Sequence, residues 1–270
     1  MKTEVPRFAL VIYYPYGFPD IPTSLEVMDT LLAMGIPILE VGYPFSDPVA
    51  DGPTIQRAVA WALRHRPSLQ TFFDDICRLH RAWPDRALYL MTYLNPLHRL
   101  GVDRAAQFSA YSGLRGWIVP DLPYEEAEPV ARTLESVGLH LVLLASNNLS
   151  DERLEKITRR TRGFLYAIST LGVTGVRERL DPVLETFLDR IRRWASVPVY
   201  VGFGIARPEH VEAVADRCDG VIVGSAVIQA VLDHPDRPVE VVRQVVAPLW
   251  ETVRAVEERK RRATESSSHQ

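Results

Sequence analysis

The segment from Ile38 to Ala58, ILEVGYPFSDPVADGPTIQRA, places one carboxylate inside an apolar run and another eleven positions later. Glu40 interrupts a strand-like stretch that would need no acid if it only had to pack. Burial raises a carboxyl pKa toward neutrality, which lets such a group give and take a proton at pH 7. The competing reading is a buried carboxylate paired with an arginine. Asp51 lies in the loop YPFSDPVADGPT, where Pro44, Pro48 and Pro53 restrict φ and Gly52 permits a turn. There it either shapes or caps the turn ahead of Thr54 or stands opposite Glu40, giving two acids with different environments and different roles. Asp47 in the same loop is open to both readings.

Three glycine-bearing segments, GVTG (172–175), GFGI (202–205) and GSA (224–226), suit an anion. Glycine allows close backbone approach, and N–H groups at a helix start point at a bound phosphate. Gly175, Gly204 and Gly224 are the expected backbone positions, and Ser225 can add a hydroxyl. Tyr13, Met91, Ile118, Tyr166 and Phe203 could line an apolar slot for a flat ring, although ordinary packing explains any one of them equally well. Schiff-base chemistry needs a lysine at a strand end, and Lys2, Lys156 and Lys260, the only lysines, are not so placed. His65, His98, His140 and His210 show no metal-ligand spacing and read as surface or packing residues. No metal or organic cofactor is expected. What remains is acid–base cleavage or isomerisation of a phosphorylated compound that supplies its own electron sink.

The elements that must position these residues are eight short apolar runs: 8–14, 37–42, 86–93, 116–120, 139–145, 163–169, 198–204 and 219–226. Amphipathic stretches alternate with them, the pattern of repeated βα units. SLEVMDTLLAMG reads as a helix ended by Gly35, and SDERLEKITRRT as one capped by Ser150. A (β/α)8 TIM barrel is the favoured fold, with a doubly wound sheet as the alternative. Chemistry is then expected at the C-terminal strand ends, and the last three strands lead into the glycine segments, where such barrels commonly bind phosphate. Residues 1–258 are expected to form one barrel domain and 259–270, EERKRRATESSSHQ without its first two residues, a disordered tail.

The 270 residues carry a net charge of −3, which gives no broad cationic face for nucleic acid or an anionic membrane. No apolar run approaches the roughly 20 residues of a spanning helix. Cys77 and Cys218 form no Cys-x-x-Cys pair and the first ten residues lack a cleavable apolar segment, so a reducing cytoplasm is the expected location.

LEVGYPFSDPVADGPTIQRA, LMTYLNPLHRLG, IVPDLPYEEA, SDERLEKI, GVTG, VGFGIARPEHV and DGVIVGSA together resemble the tryptophan synthase alpha subunit family, in the same order and over nearly the whole chain. The resemblance implies a (β/α)8 barrel that cleaves indole-3-glycerol phosphate to indole and glyceraldehyde 3-phosphate, with a beta subunit as partner. It places the catalytic acids on Glu40 and Asp51, the phosphate loops on Gly175, Phe203, Gly204, Gly224 and Ser225, and the active-site tyrosine on Tyr166. Glu40 would protonate the indole ring at C3 and then take the proton of the glycerol hydroxyl, while Asp51 would hold the ring nitrogen. Asp121 would organise the neighbouring loop or the partner face. The sequence departs from the family at Gly17-Phe18-Pro19, where Gly-Asp-Pro is usual, in the preceding YYPY, at Asn147 in place of proline, and around GVTG. These departures lie near the expected partner face and lean toward a lyase that works unaided. A non-catalytic or regulatory relative binding an indole or phosphate ligand is the third reading, opposed by the intact acids.

Overall fold

The computed structural model describes residues 8–168, 182–202 and 204–267. Within them the apolar runs become β1 (Ala9–Pro15), β2 (Ile38–Gly42), β3 (Ala87–Met91), β4 (Gly116–Ile118), β5 (His140–Ser146), β6 (Leu165–Ile168), β7 (Val199–Gly202) and β8 (Gly220–Val223). Each pairs in parallel with the next and β8 returns to β1, closing a barrel and excluding the doubly wound alternative.

The two-residue period of a strand sorts the side chains. Ala9 and Val11 of β1, Ile38 of β2 and Ile222 of β8 fill the barrel interior, whereas Leu10, Ile12 and Tyr14 pack outward with the helices. Glu40 falls on the inward phase of β2, beside Tyr13 of β1 and Tyr89 of β3. An interior position therefore carries an acid.

Local sequence starts and stops the helices. Asp20 Oδ1 accepts from Thr23 N at 2.8 Å ahead of helix Ile21–Ala33, and Gly35, at φ +96°, follows that helix in the left-handed conformation. Ser150 Oγ accepts from Arg153 N at 3.3 Å to open helix Asp151–Arg160. No helix among the described residues is long and apolar enough to cross a membrane.

The expectation of a disordered tail over 259–270 is corrected as far as residue 267, since the last helix runs from Pro238 to Ser267; residues 268–270 lie outside the described residues. Val253 and Val256 are its last buried apolar residues, which is why the apolar period fades. Polar contacts continue the docking where that period ends. Lys260 Nζ donates to the Cys218 carbonyl at 2.7 Å and lies 4.9 Å from the Phe8 ring centroid. Arg259 pairs with Glu212 at 3.1 Å, and the i,i+4 pairs Arg262–Glu258 and Arg261–Glu265 close at 2.7 and 2.9 Å. Exposed pairs of this kind each contribute little. Together with good helix formers they suffice to extend a helix already docked.

Candidate active site

Glu40 is fully buried, and neither carboxylate oxygen has a hydrogen-bond partner among the described residues. The arginine-paired reading fails on that observation. An ionised carboxylate so placed has lost its hydration with nothing in exchange, so burial pushes its pKa from 4.5 up to about 8. At neutral pH Glu40 holds its proton.

Asp51 is held differently. The Tyr93 hydroxyl donates to Asp51 Oδ2 at 2.9 Å and accepts from Ala50 N–H at 3.1 Å. Partial burial raises the Asp51 pKa from 3.8 to about 6, with the Tyr93 bond opposing the rise. At neutral pH Asp51 is ionised. Its side chain does not cap the following helix Pro53–Ala62, whose N-cap is Gly52. Asp47, in contrast, is exposed and bonded to its neighbour Ser46 at 2.5 Å.

Asp121 acts one step back. Its carboxylate accepts from Leu94 N at 2.9 and 3.2 Å, at the start of helix Leu94–Leu100. That contact fixes the backbone beside Tyr93, which in turn fixes Asp51. Phe45 packs on the Tyr93 ring with centroids 5.4 Å apart, tying the long loop to the same tyrosine.

Two further phenols bracket the acids. Tyr13 leans across β2 into the space above Gly42, where any Cβ would overlap its ring, and Tyr166 does the same over Gly202 of β7. Glycine at these two positions is a steric requirement, since each is the next inward position on its strand. Both phenols are fully buried, and the charges of Glu40 and Asp51 add to burial in raising their pKa values well above 10. They stay protonated and can donate. Neither hydroxyl has a hydrogen-bond partner among the described residues.

A cavity of about 300 Å³ is lined by Tyr13, Met91, Asp51 and Tyr166 together with Gly204, Gly224 and Ser225. Gly224 is the N-cap of helix Ser225–Asp233, so the first N–H groups of that helix face the cavity where an anion gains from the dipole. Gly204 adopts φ +80°, open to glycine and strained for other residues. Ile118 is not part of the lining: it is fully buried in the barrel interior with Val142, and Leu144 and Ile168 form the cavity wall instead. β4 is only three residues long and Ile118 is its last, paired with Met91 of β3 and Val142 of β5. Gly175, Phe203 and the rest of GVTG lie outside the described residues.

Sequence reasoning missed Tyr93 and Gln229, and read His210 only as a surface or packing residue. Gln229 Oε1 accepts from Thr54 Oγ1 at 3.1 Å and links the two helices at the cavity edge. His210 is buried, with Nδ1 2.9 Å from the Gly204 carbonyl and Nε2 3.3 Å from Arg207. Nδ1 also lies 3.2 Å from the Ala206 N–H, so His210 is tied to both sides of the Gly204 turn. The signal for Tyr93 was its place at the end of a strand. Nothing in the spacing of His210 marked it.

Among the described residues no group of three or more His, Cys, Asp and Glu could hold a metal. The arrangement instead offers a negative charge and an anion-binding helix end around one apolar slot, with the neutral acid Glu40 buried beside Tyr13, which lines that slot.

Known proteins share this arrangement's framework. The family model for the tryptophan synthase alpha chain matches residues 2–257. The tryptophan synthase alpha chain of Phenylobacterium zucineum is 39% identical over 250 residues, covering 93% of this chain and 90% of the relative. Among solved structures, tryptophan synthase of Mycobacterium tuberculosis superposes with a TM-score of 0.83 at 35% identity, covering 92% of this chain and 93% of that one. A chain of the Pyrococcus furiosus tryptophan synthase a2b2 complex, a structure concerned with mutual activation, gives a TM-score of 0.86 at 33% identity, covering 91% and 99%. With its closed barrel and near-complete match in sequence, this chain belongs to the tryptophan synthase alpha chain family.

Proposed function

We propose that this protein cleaves indole-3-glycerol phosphate to indole and glyceraldehyde 3-phosphate, as the alpha chain of a tryptophan synthase. One observation carries the reading: two acids near one barrel mouth stand in opposite environments, Glu40 fully buried without a partner and Asp51 bonded by Tyr93, so that burial lifts the first to about 8 and the second only to about 6. Glu40 gives its proton to C3 of the indole ring, which becomes an iminium. Asp51 accepts the ring N–H and balances the positive charge that develops there. The Glu40 carboxylate then takes the proton of the hydroxyl on the carbon attached to the ring. The carbonyl forms as the carbon–carbon bond breaks, and its electron pair returns to the ring to give indole. Glu40 ends as it began. Gly204, Gly224, Ser225 and the helix start hold the phosphate, and Tyr13, Met91 and Tyr166 enclose the ring. Phe203 and Gly175 complete the phosphate end in this reading.

The beta subunit is the partner in this reading. The unaided lyase rested on Phe18 and on the segment around GVTG. Phe18 is fully buried, edge-on to Trp61 at 5.7 Å, with its carbonyl accepting from Tyr14 at 3.0 Å, so it packs inside the shell and does not line the cavity. Tyr14 and Tyr16 of YYPY are buried too. The GVTG segment lies outside the described residues. A cytoplasmic location completes the reading, in line with two buried free cysteines.

Incubation of the purified chain with indole-3-glycerol phosphate should release indole and glyceraldehyde 3-phosphate in equal amounts, faster when a beta subunit is added. No indole under either condition would overturn the reading.

A further inference from the structure

The N-terminal end of a TIM barrel ordinarily serves stability and is filled with side chains. Here it holds a cavity of about 380 Å³, at the opposite end of the strands from the carboxylate pair. Its walls have a definite chemistry. Tyr89, Phe164 and Tyr200 form an aromatic floor, with Phe164 centroids 5.2 Å from Tyr89 and 4.7 Å from Tyr200. Trp250, from the long last helix, stands at the side over Gly35.

Cationic donors face the same space. Arg86 and Arg115 line it, and neither guanidinium has an ion-pair partner among the described residues. His140 Nδ1 lies 3.2 Å from the Tyr89 hydroxyl. Burial keeps that phenol protonated, and the tautomer in which it donates to Nδ1 is the one that leaves the imidazole proton on Nε2 for a ligand. Asp85 and Glu257 also border the cavity, but the charges that act on His140 are those of Arg115 and Arg162, which with burial lower its pKa. The field at the His140 end is therefore cationic, and an anion is stabilised there.

We propose that this cavity is a second small-molecule site, for a planar aromatic carboxylate, whose ring lies on the Phe164–Tyr200 floor and whose carboxylate meets Arg86, Arg115 and His140. A cavity of a few hundred Å³ with an aromatic lining and a few convergent polar groups is the usual form of such a site. The paired guanidinia favour a carboxylate over a neutral ring. The proposal is independent of the reaction at the other mouth.

The probe is 2-naphthoate, which carries no phosphate. Calorimetric titration of the full chain should detect binding, undisturbed by saturating glycerol 3-phosphate at the opposite mouth. Arg86→Ala/Arg115→Ala should weaken it by about tenfold or more, since a hydrogen bond to a charged group is worth at least that factor. Arg115 is exposed and Arg86 only half-buried, so the fold should survive both changes. If the double variant nevertheless unfolds, competition in the unaltered chain still decides. Absence of binding, an unchanged affinity in the folded double variant, or displacement by glycerol 3-phosphate would each overturn the proposal.

Discussion

Tyr93 holds Asp51: its hydroxyl donates to Oδ2 at 2.9 Å while the Ala50 N–H fixes the hydroxyl from behind at 3.1 Å. The loop that carries Asp51 is thereby locked to the end of β3 before any ligand arrives. Preorganisation of this kind matters most where charge develops during reaction, as it does at the indole nitrogen.

Replacing Tyr93 with phenylalanine keeps the ring that packs on Phe45 and removes only the hydroxyl. The variant should lose about 1.5–3 kcal/mol of transition-state stabilisation, or roughly ten- to a hundredfold in kcat/KM. Affinity for glycerol 3-phosphate should stay unchanged, because the phosphate end makes no contact with Tyr93. Because the Tyr93 bond opposes the rise in the Asp51 pKa, the acidic limb of the kcat/KM profile should also move to higher pH in the variant. Steady-state kinetics across pH checks both; unaltered kinetics would leave Tyr93 a packing residue.

Glu40 makes the fold pH-sensitive in a calculable direction. Its folded pKa, about 8, lies above the 4.5 of an exposed glutamate, so between these values the folded state holds a proton that the unfolded state has released. Stability therefore falls as pH rises from about 4.5 to 8 and changes no further through this group above that. Glu40→Gln cannot ionise, and any cost of its buried amide is independent of pH. The stability of Glu40→Gln relative to the parent should grow across this window by an amount on the order of a few kcal/mol. Denaturant unfolding at pH 5 and pH 8.5 measures it, and a difference that does not change with pH would contradict a buried, unpaired carboxyl.

The phosphate end can be tested by bulk. Gly224→Val adds atoms where even a Cβ would meet Tyr13 Cβ at 3.2 Å, and Gly204→Val must also adopt φ +80°. Both variants should weaken indole-3-glycerol phosphate and glycerol 3-phosphate together, by about tenfold or more, since both ligands use the same backbone donors. Loss of indole affinity alone would move the phosphate elsewhere.

The barrel was legible because each strand announces itself as an apolar run and each helix as a period that changes from two to nearly four. Glu40 was legible for the opposite reason, as the one residue that breaks its run. The tail was misread because ion pairs and a lysine docked on a backbone carbonyl leave no apolar period. Ile118 was assigned to the slot because the apolar letters of a strand do not show which of them the barrel interior covers. Tyr93 and Gln229 escaped because their roles depend on contacts 42 and 175 positions away in the chain, and no local pattern encodes such partners.

The central claim is that Glu40 carries both proton transfers. Its most direct test is the rate of indole release from indole-3-glycerol phosphate by Glu40→Gln, measured at saturating substrate beside the unaltered chain. The amide keeps the shape of the side chain but cannot exchange the proton. The account predicts that indole release falls by at least about a hundredfold while substrate still binds. Indole release by Glu40→Gln at near the rate of the unaltered chain would contradict it.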